Sequence, residues 1–219
     1  MININIIIDA LPQLLHGALV SLAIAFGASL IGFILGTYLG IIQASESHIG
    51  RSLVTTYVTI IRGTPMLIQI VFFYILILHF QLPLSKFAAA LLAIGMNSSA
   101  YISQVVRSGI MSISKGQIEA AYTLGITKND IMRFIILPQA FRVVIPALGN
   151  ELVTLIKDSS LASIIGVTEL YREGELLKYQ VFDAISVYTA VALIYLIMTS
   201  SLSFIVHKIE KYLRYHADY

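Results

Sequence analysis

Cysteine is absent from this 219-residue chain, so neither a disulfide framework nor a thiolate metal site can form. Charge is scarce as well. Asp, Glu, Lys and Arg make up 12% of the residues, and hydrophobic residues 58%. Ordinary soluble domains are about a quarter charged. With no long polar block, residues 1–219 read as one integral membrane domain. No Gly-x-x-x-x-Gly-Lys-Ser/Thr phosphate loop occurs, which excludes ATP binding of that kind. A Ser-His-Asp set, the paired carboxylates of a soluble cleft and a zinc string are missing too, so no catalytic residue and no metal ligand is assigned. The net charge of +2 is too small to suggest nucleic-acid binding. Residues 1–9 contain no Lys or Arg, which speaks against a cleaved signal peptide.

What the chain does have is long apolar runs. Ala10 to Ser45 carries no formal charge over about 36 residues. At about 1.5 Å per residue such a helix exceeds a bilayer core, so it tilts, bends or protrudes. Ile4 to Ile8 are read as lying in the interface before it. Gly32, Gly36 and Gly40 recur every four residues, which predicts a face where another helix approaches closely. Four more spans follow: Leu53–Phe80, Phe87–Ile113, Gln139–Leu161 and Val181–Val206. Pro65 is expected to kink the second. Ser163–Gln180, with five charges, reads as a short interfacial helix and loop. The expected fold is therefore all-α: a polytopic membrane protein with five transmembrane helices.

With five spans, Arg51, Arg107, Lys115, Lys128, Arg133, Arg142 and the tail Lys208, Lys211 and Arg214 share one side. The other side has Lys86, Arg172 and Lys178 beside three glutamates. The positive-inside rule makes the basic side cytoplasmic, with the N-terminus outside and the C-terminus inside.

Polar groups within the spans cost free energy and usually face a bundle interior or a water-filled path. At 3.6 residues per turn they fall on common faces. Asn97, Tyr101, Gln104 and Ser108 share one face, with Ser98 beside it. Glu151, Thr154 and Asp158 share another, and Arg62, Met66 and Gln69 a third. Tyr188, Tyr195 and Thr199 align on the last span. Two readings stay open for Asn97, Ser98, Tyr101, Gln104, Glu151, Thr154 and Asp158: substrate contact, or bonds that merely join helices. Asp158 has Lys157 and Arg62 as alternative partners. Arg62 and Arg107 are placed near the cytoplasmic surface, where they snorkel. His16 and His79 read as satisfied interfacial residues.

The one long amphiphilic interruption, within residues 115–138, runs from Glu119 to Pro138. Ala120 and Ala121 favour helix, Gly125 suits a turn with positive φ, and Thr127 or Asn129 can cap a second short helix. The expectation is two short helices bent at Gly125, lying at the membrane surface. Glu119-Ala120-Ala121, Gly125, Ile135 and Leu137-Pro138 stand at the spacing of the EAA loop of ABC importer permeases, which this stretch resembles. Arg62-Gly63-Thr64-Pro65, Arg107-Ser108-Gly109-Ile110, Gly116-Gln117 and Lys157-Asp158-Ser159-Ser160-Leu161 are similar to strings in permeases for polar amino acids such as histidine, glutamine and arginine. Gln104 departs from that pattern, which often has Glu there.

The resemblance implies a bacterial cytoplasmic-membrane permease of an ATP-driven amino acid importer. It implies that Glu119, Ala120, Ala121, Gly125, Ile126, Thr127 and Lys128 form a cytoplasmic coupling helix that docks on a separate ATP-binding ABC subunit. That partner would bind the ATP, leaving this chain without a cofactor. An extracytoplasmic amino acid-binding protein would deliver substrate, and a second permease subunit, identical or related, would complete the pathway. The charge at Glu151 favours a basic or polar substrate over an acidic one. The alternative is a secondary transporter or channel with Glu151 and Asp158 as ion sites.

Overall fold

The computed structural model describes residues 2–45 and 47–215, and for Arg214 and Tyr215 the backbone alone. Glu46, His216 and the terminal Tyr219 lie outside the described residues. The elements are α1 (Ile4–Ala44), α2 (His48–Gly63), α3 (Met66–His79), α4 (Lys86–Met111), α5 (Lys115–Thr123), α6 (Lys128–Asp130), α7 (Leu137–Asp158), α8 (Leu170–Val181) and α9 (Ala184–Tyr215). A π-helical segment, Ile131–Ile136, joins α6 to α7, and a 3₁₀ segment, Ser159–Ile165, follows α7.

The glycine stripe decides the core. A methyl group on Gly32 would stand 2.7 Å from Ser98 Oγ, and one on Gly40 would stand 2.7 Å from the Ser103 carbonyl. On Gly36 it would stand 2.7 Å from Ile102 Cβ and 2.8 Å from the Ser99 carbonyl oxygen. Only hydrogen fits between these backbones, as the spacing predicts. Gly36→Val is therefore expected to destabilise the chain by about 1–3 kcal/mol through overpacking. Thermal unfolding in detergent reads this; an unchanged melting temperature would mean that α1 and α4 do not pack so closely.

The same contacts give direction. Gly27 meets Leu91, Gly32 meets Ser98 and Gly40 meets Val106, so α1 and α4 run parallel. The chain must recross between them, and only the α2–α3 pair can do so. Gly109 meets Val144 and Ser98 meets Glu151, so α7 runs opposite to α4. Gly149 meets Val206, and Ser186 reaches Asn3, so α9 opposes α7 and parallels α1. Among the described residues four helices are long and apolar enough to cross a membrane, or five where the bent pair counts as one span. Arg51, Arg107, Lys115, Lys128, Arg133, Arg142, Lys208 and Lys211 then share one end of the bundle, as the charge argument required.

Several expected boundaries move. The second span is no kinked helix: α2 and α3 meet at 107°. Pro65 stands between them as the N-cap of α3, and Thr64 before it is forced into extended backbone, φ −121° and ψ 146°. Ile4 to Ile8 already belong to α1, because the Asn3 side chain caps its start. The second short helix of the amphiphilic stretch is not free-standing; it runs on through the π segment into α7. That segment ends at Ile136, just before Pro138, whose ring would clash with the carbonyl four residues back in a regular helix. The third span begins at Lys86, capped by Ser85. The fifth starts at Ala184, and Lys208 and Lys211 are part of it rather than of a separate tail. Of the stretch 163–180, the helical part is α8, from Leu170 to Val181, and its first residues belong to the 3₁₀ segment.

Candidate functional site

The break at Thr64–Pro65 opens onto a cavity of about 300 Å³. Its walls are Thr64, Pro65 and Met66 from the break, Asn97 and Tyr101 from α4, and Glu151, Thr154 and Asp158 from α7, with Leu155 behind. These come from three stretches far apart in sequence. A roomier groove of about 420 Å³ between α1, α7 and α9 is lined mainly by apolar groups such as Phe26, Phe33 and Leu202 and carries no charge.

A broken helix inside a membrane leaves backbone carbonyls without partners. Gln69, one turn into α3, supplies donors to them. Its Nε2 donates to the Ile61 carbonyl at 2.7 Å and to Thr64 Oγ1 at 2.7 Å. Its Oε1 accepts from Asn97 Nδ2 at 2.8 Å. Asn97 is buried and thus holds the broken pair against α4. Arg62, at the end of α2, places its guanidinium carbon 5.0 Å from the centre of the Tyr101 ring. It stands beside the middle of α4, not near the surface as its snorkelling stem suggested.

Glu151 is half-buried. Ser98 Oγ, fully buried behind it, donates to Glu151 Oε1 at 2.9 Å. Asp158 lies two turns further along the same face. Among the described residues neither carboxylate forms an ion pair, so the expected bridges from Asp158 to Lys157 and Arg62 are not made, although the Lys157 charge acts on Asp158 from farther away. Lys157 lines a different groove, with Ser160, Tyr188, Tyr195 and Thr199. Thr154 faces outward and bonds its own helix at the Asn150 carbonyl, 3.2 Å. Of the seven residues singled out for substrate contact, Asn97, Tyr101, Glu151, Thr154 and Asp158 line the cavity and Ser98 supports it. Gln104 does not belong. Its Nε2 donates to Gln43 Oε1 at 2.6 Å, and Gln43 reaches Thr55 Oγ1 at 3.4 Å. It falls one turn beyond the cavity, where α1 and α2 cover that face. Among the described residues no group of His, Asp and Glu is arranged to hold a metal ion.

Sequence reasoning passed over Glu169, counted only as one charge in a polar loop. It is fully buried. It accepts from Tyr195 Oη at 2.9 Å and Ser21 Oγ at 3.3 Å, and caps α8 by accepting from the backbone N–H of Tyr171 and of Arg172, both at 2.9 Å. Burial pushes its carboxyl above the usual carboxylate range, and these four donors oppose that shift. Glu173 accepts from Gln13 Nε2 at 2.6 Å, and His16 Nδ1 lies 3.9 Å from its carboxylate. Together they fasten α8 between α1 and α9. The only sequence signal was a Glu followed by a helical pattern, an N-cap position.

The amphiphilic stretch forms the basic end. On α5, Glu119 and Ala120 are exposed while Ala121 packs against Ile131 and Ile136. Gly125 adopts φ +73°, with no atom within 4 Å of where a Cβ would be. Thr127, not Asn129, caps the next turn, accepting from Asp130 N–H at 3.3 Å. Ile126 tucks back, and Thr127 and Lys128 stay exposed. Leu124, at 79% exposure, forms an apolar tip.

The family described as binding-protein-dependent transport system inner membrane component matches residues 36–215. The glutamine transport system permease protein GlnP of Escherichia coli is 36% identical over 209 residues, 92% of this chain and 93% of that protein. The L-cystine transport system permease protein TcyB of Bacillus subtilis is 41% identical over 188 residues, covering 84% and 80%. The arginine transport system permease protein ArtQ of Bacillus subtilis is 33% identical over 213 residues, covering 94% and 95%. A crystal structure of an amino acid ABC transporter with histidines matches at a TM-score of 0.90 and 31% identity, over 96% of this chain and 99% of that one.

Proposed function

The chain belongs to the binding-protein-dependent transport system inner membrane components, and on that premise we propose that it carries a polar, basic amino acid inward across the cytoplasmic membrane. It is a permease subunit of an amino acid ABC importer and not an enzyme; ATP hydrolysis resides in a separate subunit. Family membership sets aside the ion-driven transporter.

The observation that carries the substrate class is the half-buried Glu151 in the cavity at the helix break, with Asp158 on the same face and no ion pair on either among the described residues. A carboxylate out of bulk water needs a counter-charge or hydration. A basic amino acid brings an ammonium group and a side-chain cation. Asn97, Tyr101 and Thr154 line the same space, where polar groups orient such a ligand. An acidic side chain would meet like charge. Arginine and glutamine relatives support a polar substrate. In vesicles holding the assembled importer, labelled arginine uptake should exceed glutamate uptake; preferential glutamate uptake refutes the reading.

The partners we propose are an ATP-binding ABC subunit, an extracytoplasmic amino acid-binding protein and a second permease, identical or related. The coupling contact is the segment from Glu119 to Lys128, whose exposed Leu124 and Tyr122 suit burial in a groove of the ATPase. ATP must bind the inward- and outward-facing arrangements with different affinity to drive transport. We place the basic end in the cytoplasm. A tag at the C-terminus should be reachable only from inside, and one inserted beside Glu173 only from outside. The reverse labelling pattern refutes this orientation.

A further inference from the structure

We propose that Arg62 recognises the α-carboxylate of the transported amino acid, so that the cavity grips both charges of a zwitterion. The inference rests on the amino acid reading above and adds the group that reads the other charge. Arg62 closes the last turn of α2, two residues before the break whose Thr64 and Pro65 form one wall of the cavity. Its guanidinium lies 5.0 Å from the centre of the Tyr101 ring, and Tyr101 is itself a wall residue. A cation–π contact of this kind draws on the charge of the guanidinium and takes up no oxygen acceptor for the N–H donors along its edge. Among the described residues that edge makes no hydrogen bond and no ion pair. A planar fork of free donors matches a carboxylate in two-point contact.

The acidic side is supplied by α7. Glu151 and Asp158 line the cavity from there, while Arg62 lies against the ring of Tyr101, a wall residue, on the α2–α4 side. Among the described residues the Arg62 guanidinium beside that wall and the two carboxylates lining the cavity form no ion pair with one another. An amino acid satisfies both: its carboxylate meets Arg62, and its cationic groups meet Glu151 and Asp158. A purely structural Arg62 would stabilise the end of α2 and hold Tyr101, with no preference for a carboxylate.

The test compares each amino acid with its α-amide at about pH 6, where the α-ammonium of both stays protonated and only the carboxylate charge differs. Binding of L-lysine, L-lysinamide, L-glutamine and L-glutaminamide is measured on the purified permease–ATPase assembly. Wild type should prefer acid to amide by about tenfold or more, the size of a charge-assisted contact. R62Q should reduce that ratio to near one, whereas weakening acid and amide equally would overturn the proposal. A wild type that does not distinguish acid from amide also overturns it. Should R62Q not assemble, wild type is modified with phenylglyoxal and the adduct on Arg62 read by mass spectrometry. Protection by lysine or glutamine but not by its amide supports the proposal; equal protection, or none, overturns it. If glutamine binds and lysine does not, the basic-substrate reading fails while the acid-to-amide ratio still decides the role of Arg62.

Discussion

Glu151→Gln is expected to weaken binding of a cationic amino acid by roughly ten- to a hundredfold, the worth of a charged hydrogen bond. The substitution keeps shape. Ser98 Oγ–H, now 2.9 Å from the carboxylate, can donate equally to an amide oxygen. What disappears is the charge. No protein cation offsets that charge among the described residues, so its removal leaves no partner stranded. The melting temperature in detergent should therefore hold or rise, because a carboxylate desolvation cost is removed. Uptake of a neutral amino acid should suffer less than uptake of lysine or arginine. Unchanged binding of the cationic substrate, or a chain that no longer assembles, would make Glu151 a packing residue. The substrate class argued from it would then fall.

Gly125→Val is expected to uncouple transport from ATP hydrolysis. At φ +73° a β-branched residue is strained, by roughly 1–2 kcal/mol. Such a penalty is about a five- to thirtyfold loss of the bent population. Nothing lies within 4 Å of the added Cβ, so the cost is conformational and not a clash. Gly125→Asn, whose side chain tolerates left-handed backbone, should retain most activity, and that contrast separates backbone shape from bulk. Uptake in vesicles and substrate-stimulated ATPase activity should both fall in the valine variant, with the melting temperature of the isolated chain little changed. Normal uptake with normal assembly in Gly125→Val would remove the coupling role from this bend.

The remaining differences between expectation and structure share a cause. Gln104 and Asn97 sit on one helical face and are seven residues apart, so periodicity alone treats them alike. One faces Gln43 of α1 and the other faces the break, because different neighbours cover successive turns of α4. Glu169 was legible as a charge and a cap, but its burial depends on Ser21 and Tyr195, far away in the chain. Arg62 was placed by its own stem length; the ring of Tyr101 holds it elsewhere.

Sequence by itself determined that this chain lives in a bilayer as a bundle of long apolar helices, packs α1 through its glycine stripe and carries a bent amphiphilic loop at its basic end. Those properties follow from run length, charge scarcity, four-residue spacing and glycine's freedom at φ > 0, all local quantities. Tertiary structure alone decided that α2 and α3 meet at 107° instead of forming one kinked helix. A proline signals an interruption, but the angle depends on where α4 offers Asn97 to Gln69. It also decided which polar side chains share a cavity, since helical phase gives the face of a residue and not the neighbour that face meets.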